Sequence, residues 1–103
     1  MKKISDFSNK NLLLVDDDSP FRERLARAME KKGFHVSQAE SVKKGIESVK
    51  QSCPGFAVVD LRLGDGNGLE VVKEIKKKGP DSRVIMLTGY GNIPTAVAAV
   101  KDG

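Results

Sequence analysis

Short apolar runs alternate with longer segments of helical periodicity from residue 11 onward, and this alternation constrains the fold more than any other feature. The apolar runs occupy residues 11–15, 56–60 and 83–87, and residues 34–38 are a further strand candidate of mixed polarity. In the segments that follow them, apolar residues recur at three- and four-residue spacing, which is typical of amphipathic helices. The resulting order, βαβαβαβα, predicts an α/β fold in which helices cover both faces of a parallel sheet.

Capping residues mark the expected ends of the helices. Ser19 fits the N-cap of the first helix, and Gly33 fits the position just after its end. Ser41 fits the N-cap of the second helix, and the apolar spacing from Ile93 predicts a fourth. Residues 64–68 read Gly-Asp-Gly-Asn-Gly, which predicts a flexible loop between the third strand and the third helix.

The composition indicates one globular domain with one core, since the 103 residues are 39% hydrophobic and 31% charged. No apolar run approaches the roughly 20 residues that cross a bilayer, and no signal peptide is apparent. The single cysteine, Cys53, excludes an internal disulfide, so we expect a cytoplasmic protein. The net charge of +4 is spread over several segments with few aromatic residues, which favours solvated helix faces over a nucleic-acid patch.

Acidic or hydroxyl side chains stand at the ends of three of the four predicted strands. Asp16, Asp17 and Asp18 follow the first strand, Asp60 ends the third, and Thr88 follows the fourth. The carboxyl ends of parallel strands meet at one edge of the sheet, where open α/β proteins bind their ligands. If the first and third strands are neighbours, Asp16, Asp17 and Asp60 converge. Two carboxylates about 4 Å apart repel by about 4 kcal/mol at an effective dielectric near 20.

Two events would relieve this repulsion: protonation of one carboxylate with a raised pKa, or binding of a divalent cation. Oxygen ligands without histidine or thiolate suit Mg²⁺, Mn²⁺ or Ca²⁺ rather than Zn²⁺. A carboxylate beside such an ion can attack a phosphoryl group, and the Thr88 hydroxyl could then hydrogen-bond that group. Asp18 fits better as the start of the following helix. Asp65 could extend the acidic pocket or serve only the glycine-rich turn.

Four stretches of this sequence resemble the receiver domain of bacterial two-component response regulators. They read LLVDDD at 13–18, AVVDL at 57–61, DGNGL at 65–69 and VIMLTGYG at 84–91. Within that family, the sequence of residues 87–101 is similar to that of the redox-responding global regulators of the RegA, PrrA and ActR type. The resemblance implies a flavodoxin-like, doubly wound parallel sheet with strand order 2-1-3-4.

The resemblance also implies a function for residues 1–103 as the receiver domain of a transcriptional response regulator. Asp60 would be the phosphoacceptor, taking a phosphoryl group from a sensor histidine kinase, and Thr88 would be the switch hydroxyl. The implied ligands of Mg²⁺ are Asp16 (largely through water), Asp17, Asp60 and the backbone carbonyl of Arg62. Such a domain changes conformation when phosphorylated and is not a conventional enzyme, because its phosphoryl chemistry acts on itself.

The sequence departs from the family pattern at its C-terminal end. Family receivers continue into a fifth strand, which carries a lysine that pairs with the phosphoryl group, and a fifth helix; regulators of this type then carry a DNA-binding domain. Because the chain ends at Gly103, we expect a truncated receiver without direct nucleic-acid or membrane binding. An apolar fourth strand left at a sheet edge favours self-association, element swapping with a second copy, or marginal stability.

Two other classes of function fit parts of the sequence. Asp16 and Asp18 form an Asp-x-Asp pair, as in haloacid-dehalogenase-type phosphatases, but 103 residues are too few for the larger core of those enzymes. The alternative that we retain is a non-catalytic interaction or assembly module with a receiver fold, in which truncation has removed efficient phosphorylation. Treatment with Mg²⁺ and acetyl phosphate distinguishes this module from a phosphoacceptor.

Overall fold

The computed structural model describes residues 9–87, in which the predicted strands and helices alternate along the chain. The elements are β1 (Asn11–Val15), α1 (Ser19–Lys31), β2 (His35–Ala39), α2 (Val42–Gln51), β3 (Phe56–Asp60), β4 (Arg62–Leu63), β5 (Gly66–Asn67), α3 (Leu69–Lys78) and β6 (Arg83–Leu87). The predicted fourth helix and Thr88 lie outside the described residues. None of the helices in residues 9–87 has the length and apolar character needed to cross a bilayer.

Four strands form a parallel sheet in the order β2-β1-β3-β6, which confirms the predicted order 2-1-3-4 with β6 as the fourth long strand. β1 pairs with β2 on one side and with β3 on the other, where Val15 lies opposite Val59. β6 pairs with the far side of β3, so that Leu87 lies opposite Asp60. The carboxyl ends of β1, β3 and β6 therefore lie side by side at one edge of the sheet.

The central strand β1 is almost continuously apolar because helices cover both faces of the sheet there. Along β1, Leu13 and Val15 belong to the core that α2 and α3 cover, whereas Leu12 and Leu14 belong to the core beneath α1. All four side chains are at most 4% exposed. The helix side chains fully buried on the α2–α3 face are Val49, Val71 and Ile75. This two-sided burial fixes the position of β1 between its neighbours.

Two boundaries differ from the sequence prediction. The N-cap of α1 is Asp18 rather than Ser19, and the Asp18 carboxylate accepts a hydrogen bond from the Phe21 backbone N–H at 3.2 Å. Several adjacent polar residues can cap a helix, so the sequence alone does not choose between them. β2 begins at His35 rather than at residue 34, because the Phe34 N–H donates back to the Met29 carbonyl of α1 at 3.2 Å instead of joining the sheet.

The glycine-rich segment after β3 is more ordered than the flexible loop that its sequence predicts. β4 and β5 form a small antiparallel hairpin, which we call the acidic-site hairpin, with Arg62 opposite Asn67 and Leu63 opposite Gly66. The Leu63 side chain is buried in the α2–α3 core. That burial ties the hairpin to the fold, and it explains why a segment with three glycines adopts regular pairing.

The packing of β1 predicts that two substitutions by alanine lower the free energy of unfolding by clearly different amounts. Leu13→Ala removes a side chain that is 1% exposed, so we expect the free energy of unfolding to fall by about 3 kcal/mol. Ile85→Ala, on β6, removes a side chain that is 46% exposed and should cost less than about 1 kcal/mol. Urea denaturation of both variants measures the difference, and equal losses would contradict this placement of the core.

Candidate functional site

Three carboxylates meet at the carboxyl edge of the sheet. Asp16 and Asp17 follow β1, Asp60 is the last residue of β3, and these two strands are direct neighbours. One carboxylate oxygen from each residue lies within 4.8 Å of the other two. The structure thus brings together the three acidic residues that the sequence analysis proposed to converge.

Backbone and side-chain hydrogen bonds fix Asp16 at the end of β1. Its N–H donates to the Ala39 carbonyl at 3.0 Å, which continues the pairing with β2. Its carboxylate oxygen Oδ1 accepts from the Asp18 N–H at 2.9 Å, and its carbonyl accepts from Arg22 Nη1 at 2.7 Å. Arg22 also donates from Nε to the Gln38 side chain at 2.9 Å. The acidic turn is therefore tied to α1 and to β2.

The environment of Asp16 favours its protonated form or a bound cation. The side chain is only 8% exposed, and this burial is the main reason that its pKa is raised above the usual 3.8. The hydrogen bond from Asp18 N–H lowers the pKa, whereas the charges of Asp60, Asp17 and Asp18 raise it further. A divalent cation would offset these like charges, and three carboxylates are a donor set that suits Mg²⁺ or Ca²⁺.

Asp60 is half-buried, and its position depends on the segment that follows it. Its carboxylate oxygen Oδ1 accepts from the Arg62 N–H at 3.0 Å. The Leu61 N–H donates to the Leu87 carbonyl at 2.8 Å, and the Leu61 carbonyl accepts from the Gly68 N–H at 3.0 Å. The backbone directly after Asp60 is therefore fixed to β6 and to the start of α3.

Gly68 allows this close approach. A Cβ atom at position 68 would overlap the Asp60 carbonyl oxygen and would lie 2.9 Å from Val59 Cγ1. Only a residue without a side chain therefore fits between the end of β3 and the start of α3 at this point. The sequence analysis assigned the glycines of this segment to loop flexibility, whereas at position 68 the requirement is space.

Asp65 has a role that neither sequence interpretation included. Its Oδ1 accepts from the Val42 N–H at 2.8 Å and its Oδ2 accepts from the Lys43 N–H at 3.1 Å, both at the start of α2. These bonds lower the pKa of the exposed Asp65 carboxyl below 3.8. Asp65 is thus a cap for a helix that begins 23 residues earlier, and no local sequence signal indicates such a contact.

The remaining residues from the sequence analysis are placed as follows. Asp18 caps α1, as predicted, and is not one of the three clustered carboxylates. Arg62 begins the acidic-site hairpin directly after the acidic edge, and its carbonyl stays a predicted ligand. Thr88 lies outside the described residues. Arg22 and Gly68 contact the segments that hold this edge, and neither was expected from the sequence to have a role in the site.

Comparison with known protein families gives one match that covers most of the chain. The profile of the family described as "Response regulator receiver domain" matches residues 12–103. The photosynthetic apparatus regulatory protein RegA of Rhodobacter capsulatus is 57% identical over 93% of this chain and 52% of its own length. The acid tolerance regulatory protein ActR of Sinorhizobium medicae is 59% identical over 92% of this chain and 49% of its own. The chain thus spans about half the length of these relatives.

Solved structures of similar proteins share the fold. A response regulator from Burkholderia pseudomallei, crystallised with a phosphorylated aspartic acid, a calcium ion and citrate, matches with a TM-score of 0.78 and 40% identity. The match covers 92% of this chain and 56% of that one. A CheY-like receiver domain protein from Methanospirillum hungatei matches with a TM-score of 0.78 and 28% identity, over 93% of this chain and 77% of its own.

The close approach at Gly68 predicts a strong effect of one added methyl group. Gly68→Ala should lower the free energy of unfolding by about 2 kcal/mol, because the new Cβ must displace the Asp60 carbonyl. Gly64→Ala is the matched control, since within residues 9–87 a Cβ there would have only Asp17 Oδ2 nearby, at 4.0 Å, and should cost at most about 0.5 kcal/mol. Denaturant titration checks both values, and a neutral Gly68→Ala would refute the packing argument.

The Asp65 cap predicts a pH-dependent contribution to stability. Because the folded state lowers the pKa of Asp65, the ionised carboxylate stabilises the fold above the unfolded-state value of 3.8, and this stabilisation is lost as the pH falls through the folded-state value. The melting temperature of Asp65→Asn should therefore lie a few degrees below that of the wild type near neutral pH, and the gap should narrow below about pH 4.

Ser41→Ala is the control for this pH experiment. It removes another cap of α2, the Ser41 hydroxyl that accepts from the Lys44 N–H at 3.1 Å, but no titratable group. Its difference from the wild type should not change between neutral pH and about pH 4, because neither hydroxyl nor methyl titrates there. If the difference in melting temperature between the wild type and Asp65→Asn is also independent of pH, the role of Asp65 as an ionised cap of α2 is wrong.

Proposed function

On the premise that the chain belongs to the response regulator receiver domain family, and within it to the RegA/ActR type, we propose that it accepts a phosphoryl group on Asp60 from a sensor histidine kinase. The observation that carries this proposal is the convergence of Asp16, Asp17 and Asp60 at the carboxyl edge of the sheet. The Burkholderia response regulator, crystallised with a phosphorylated aspartic acid and a calcium ion, supports the same chemistry.

Asp60 would act as the nucleophile of the transfer. One oxygen of its carboxylate forms a bond to phosphorus while the phosphorus–nitrogen bond of the phosphohistidine breaks, and the kinase imidazole leaves with the electrons of that bond. The hydrogen bond from the Arg62 N–H to Oδ1 orients the carboxylate before attack. The half-buried position of Asp60 leaves the side chain accessible to a donor protein.

The acidic cluster would hold Mg²⁺ through Asp17, Asp60 and the Arg62 carbonyl, with Asp16 contributing largely through water. The fit rests on the all-oxygen donor set and on the like charges of Asp16, Asp17 and Asp60, whose repulsion a bound cation would offset. When bound, the ion would neutralise charge on the phosphoryl oxygens. The acyl phosphate would carry about two negative charges in place of the single charge of the Asp60 carboxylate, so the modified cluster is still more acidic and needs the cation as well.

Phosphorylation would then change the conformation of the domain. Thr88 is the proposed switch hydroxyl, because it follows directly after β6, whose last residue Leu87 lies opposite Asp60 in the sheet. A hydrogen bond from Thr88 to the phosphoryl group would draw the segment after β6 toward the site. The product of the reaction is therefore a shift in population between two conformations rather than a released compound.

The proposal extends to the cellular setting of the chain. We assign residues 1–103 to a single receiver domain of a transcriptional response regulator in the cytoplasm, with DNA binding located outside this chain. The relatives RegA and ActR are described as regulatory proteins, and each is about twice as long as the matched segment. The chemistry acts on the domain itself, so we do not class the chain as a conventional enzyme.

One observation favours the second candidate, a non-catalytic assembly module that associates with itself. Among residues 9–87, β6 pairs with β3 on one side only, and Ile85 on this strand is 46% exposed. Ile85 also lines an apolar groove beside α1, together with Phe21 and Leu25. An apolar sheet edge of this kind promotes pairing between copies. Gel filtration over a concentration series would detect such association.

Acetyl phosphate with Mg²⁺ separates the two candidates. The wild-type chain should gain the mass of one phosphoryl group, Asp60→Asn should gain none, and removal of Mg²⁺ with a chelator should abolish the gain. Asp18→Asn is the matched control, because asparagine caps a helix as well as aspartate and Asp18 is outside the cluster. Intact-protein mass spectrometry measures all four samples. Failure of the wild type to gain mass would favour the assembly module.

A further inference from the structure

The acidic-site hairpin runs along one side of the carboxylate cluster. At its base, the Arg62 N–H donates to Asp60 Oδ1 at 3.0 Å. At its tip, Gly64 faces the cluster from the other end, since a Cβ built there would lie 4.0 Å from Asp17 Oδ2. The hairpin therefore lies beside Asp60 at its base and beside Asp17 at its tip, which are two of the proposed Mg²⁺ ligands. The Arg62 carbonyl, another proposed ligand, is part of the hairpin backbone.

Little within the hairpin itself can hold this geometry. Each strand has two residues, and even longer two-stranded hairpins are only marginally stable in water. Its turn is flanked by Gly64 and Gly66, and glycine gives the backbone additional freedom. The buried Leu63 side chain fixes one strand to the core. The tip needs a further attachment.

Asp65, the residue at the tip, supplies this attachment. It binds the N–H groups of Val42 and Lys43 at 2.8 and 3.1 Å, and these are the first two N–H groups of α2. The third, from Lys44, is bound by Ser41. The start of α2 thus has two separate caps, of which only Asp65 also belongs to the hairpin.

We propose that Asp65 is a positioning residue for the acidic site: through its two bonds to the start of α2, it holds the hairpin, and with it the Arg62 carbonyl, against the carboxylate cluster. The inference rests on the proposed function in that the cluster binds Mg²⁺. Asp65 itself touches neither the ion nor the phosphoryl group in this arrangement. Its effect passes through the backbone from residue 65 back to residue 62.

Mg²⁺ affinity distinguishes positioning from a purely structural role. We expect Asp65→Ala to weaken Mg²⁺ binding by about tenfold, the lower end of the range for residues that orient metal ligands. Ser41→Ala removes the other cap of α2 but leaves the hairpin attached, so we expect a change of less than about twofold. Asp65→Asn keeps one acceptor oxygen and should fall between these two. Isothermal titration calorimetry of the 103-residue chain with Mg²⁺ measures each dissociation constant.

Hydrogen exchange at the Arg62 amide provides a readout that does not depend on the metal. In Mg²⁺-free protein, this amide should exchange several-fold faster in Asp65→Ala than in the wild type, because its bond to Asp60 loses the support of the hairpin. Ser41→Ala should leave its exchange unchanged. If Asp65→Ala does not fold, Asp65→Asn replaces it in both measurements.

The outcomes separate this inference from the proposed function. A wild type that binds no Mg²⁺ overturns the proposed function, and exchange at Arg62 then decides the inference alone. A wild type that binds Mg²⁺, with Asp65→Ala and Ser41→Ala showing equal affinity and equal exchange, overturns the inference and leaves the proposed function standing. A selective loss in Asp65→Ala supports both.

Discussion

The parallel pairing of β1 with β3 is the interaction on which the rest of the structure depends. It places Val15 opposite Val59, so the acidic residues that follow β1 arrive beside Asp60 although they are more than forty positions away in the chain. This pairing is stabilised by apolar side chains on both faces, and none of the four core residues of β1 is more than 4% exposed. The core of the sheet therefore holds together three carboxylates that would repel each other in an unconstrained chain.

Two of the three clustered carboxylates, Asp16 and Asp60, are constrained through the backbone of their own segments. Asp16 is fixed by bonds from Asp18 N–H and Arg22, whereas Asp60 is fixed by the Arg62 N–H and by the narrow space at Gly68. These contacts orient oxygens without neutralising them, and burial raises the pKa of Asp16. The fold thus holds these like charges close together, so a bound cation would offset a repulsion that folding has already overcome.

The sequence predicts those parts of the molecule that follow from local pattern. β1, β3 and β6 have the predicted bounds, because each is a short run of mainly apolar residues between polar or turn-forming segments. The convergence of Asp16, Asp17 and Asp60 follows from chain order and from the geometry of parallel sheets. Contacts between distant segments were not predictable: Asp65 caps α2, and Arg22, which reads as a solvated helix residue, binds the Asp16 carbonyl. The choice of Asp18 over Ser19 as a cap depends on backbone angles that the sequence does not specify.

The bonds of Asp65 end on the backbone of Val42 and Lys43 rather than on their side chains. Such a contact imposes a chemical requirement at one of its two ends only, since almost any residue other than proline supplies the N–H group. Evolutionary drift at positions 42 and 43 could therefore proceed without any compensating change at position 65. Correlated substitutions across related sequences would not reveal this link between the acidic-site hairpin and α2, even though it spans 23 positions of the chain.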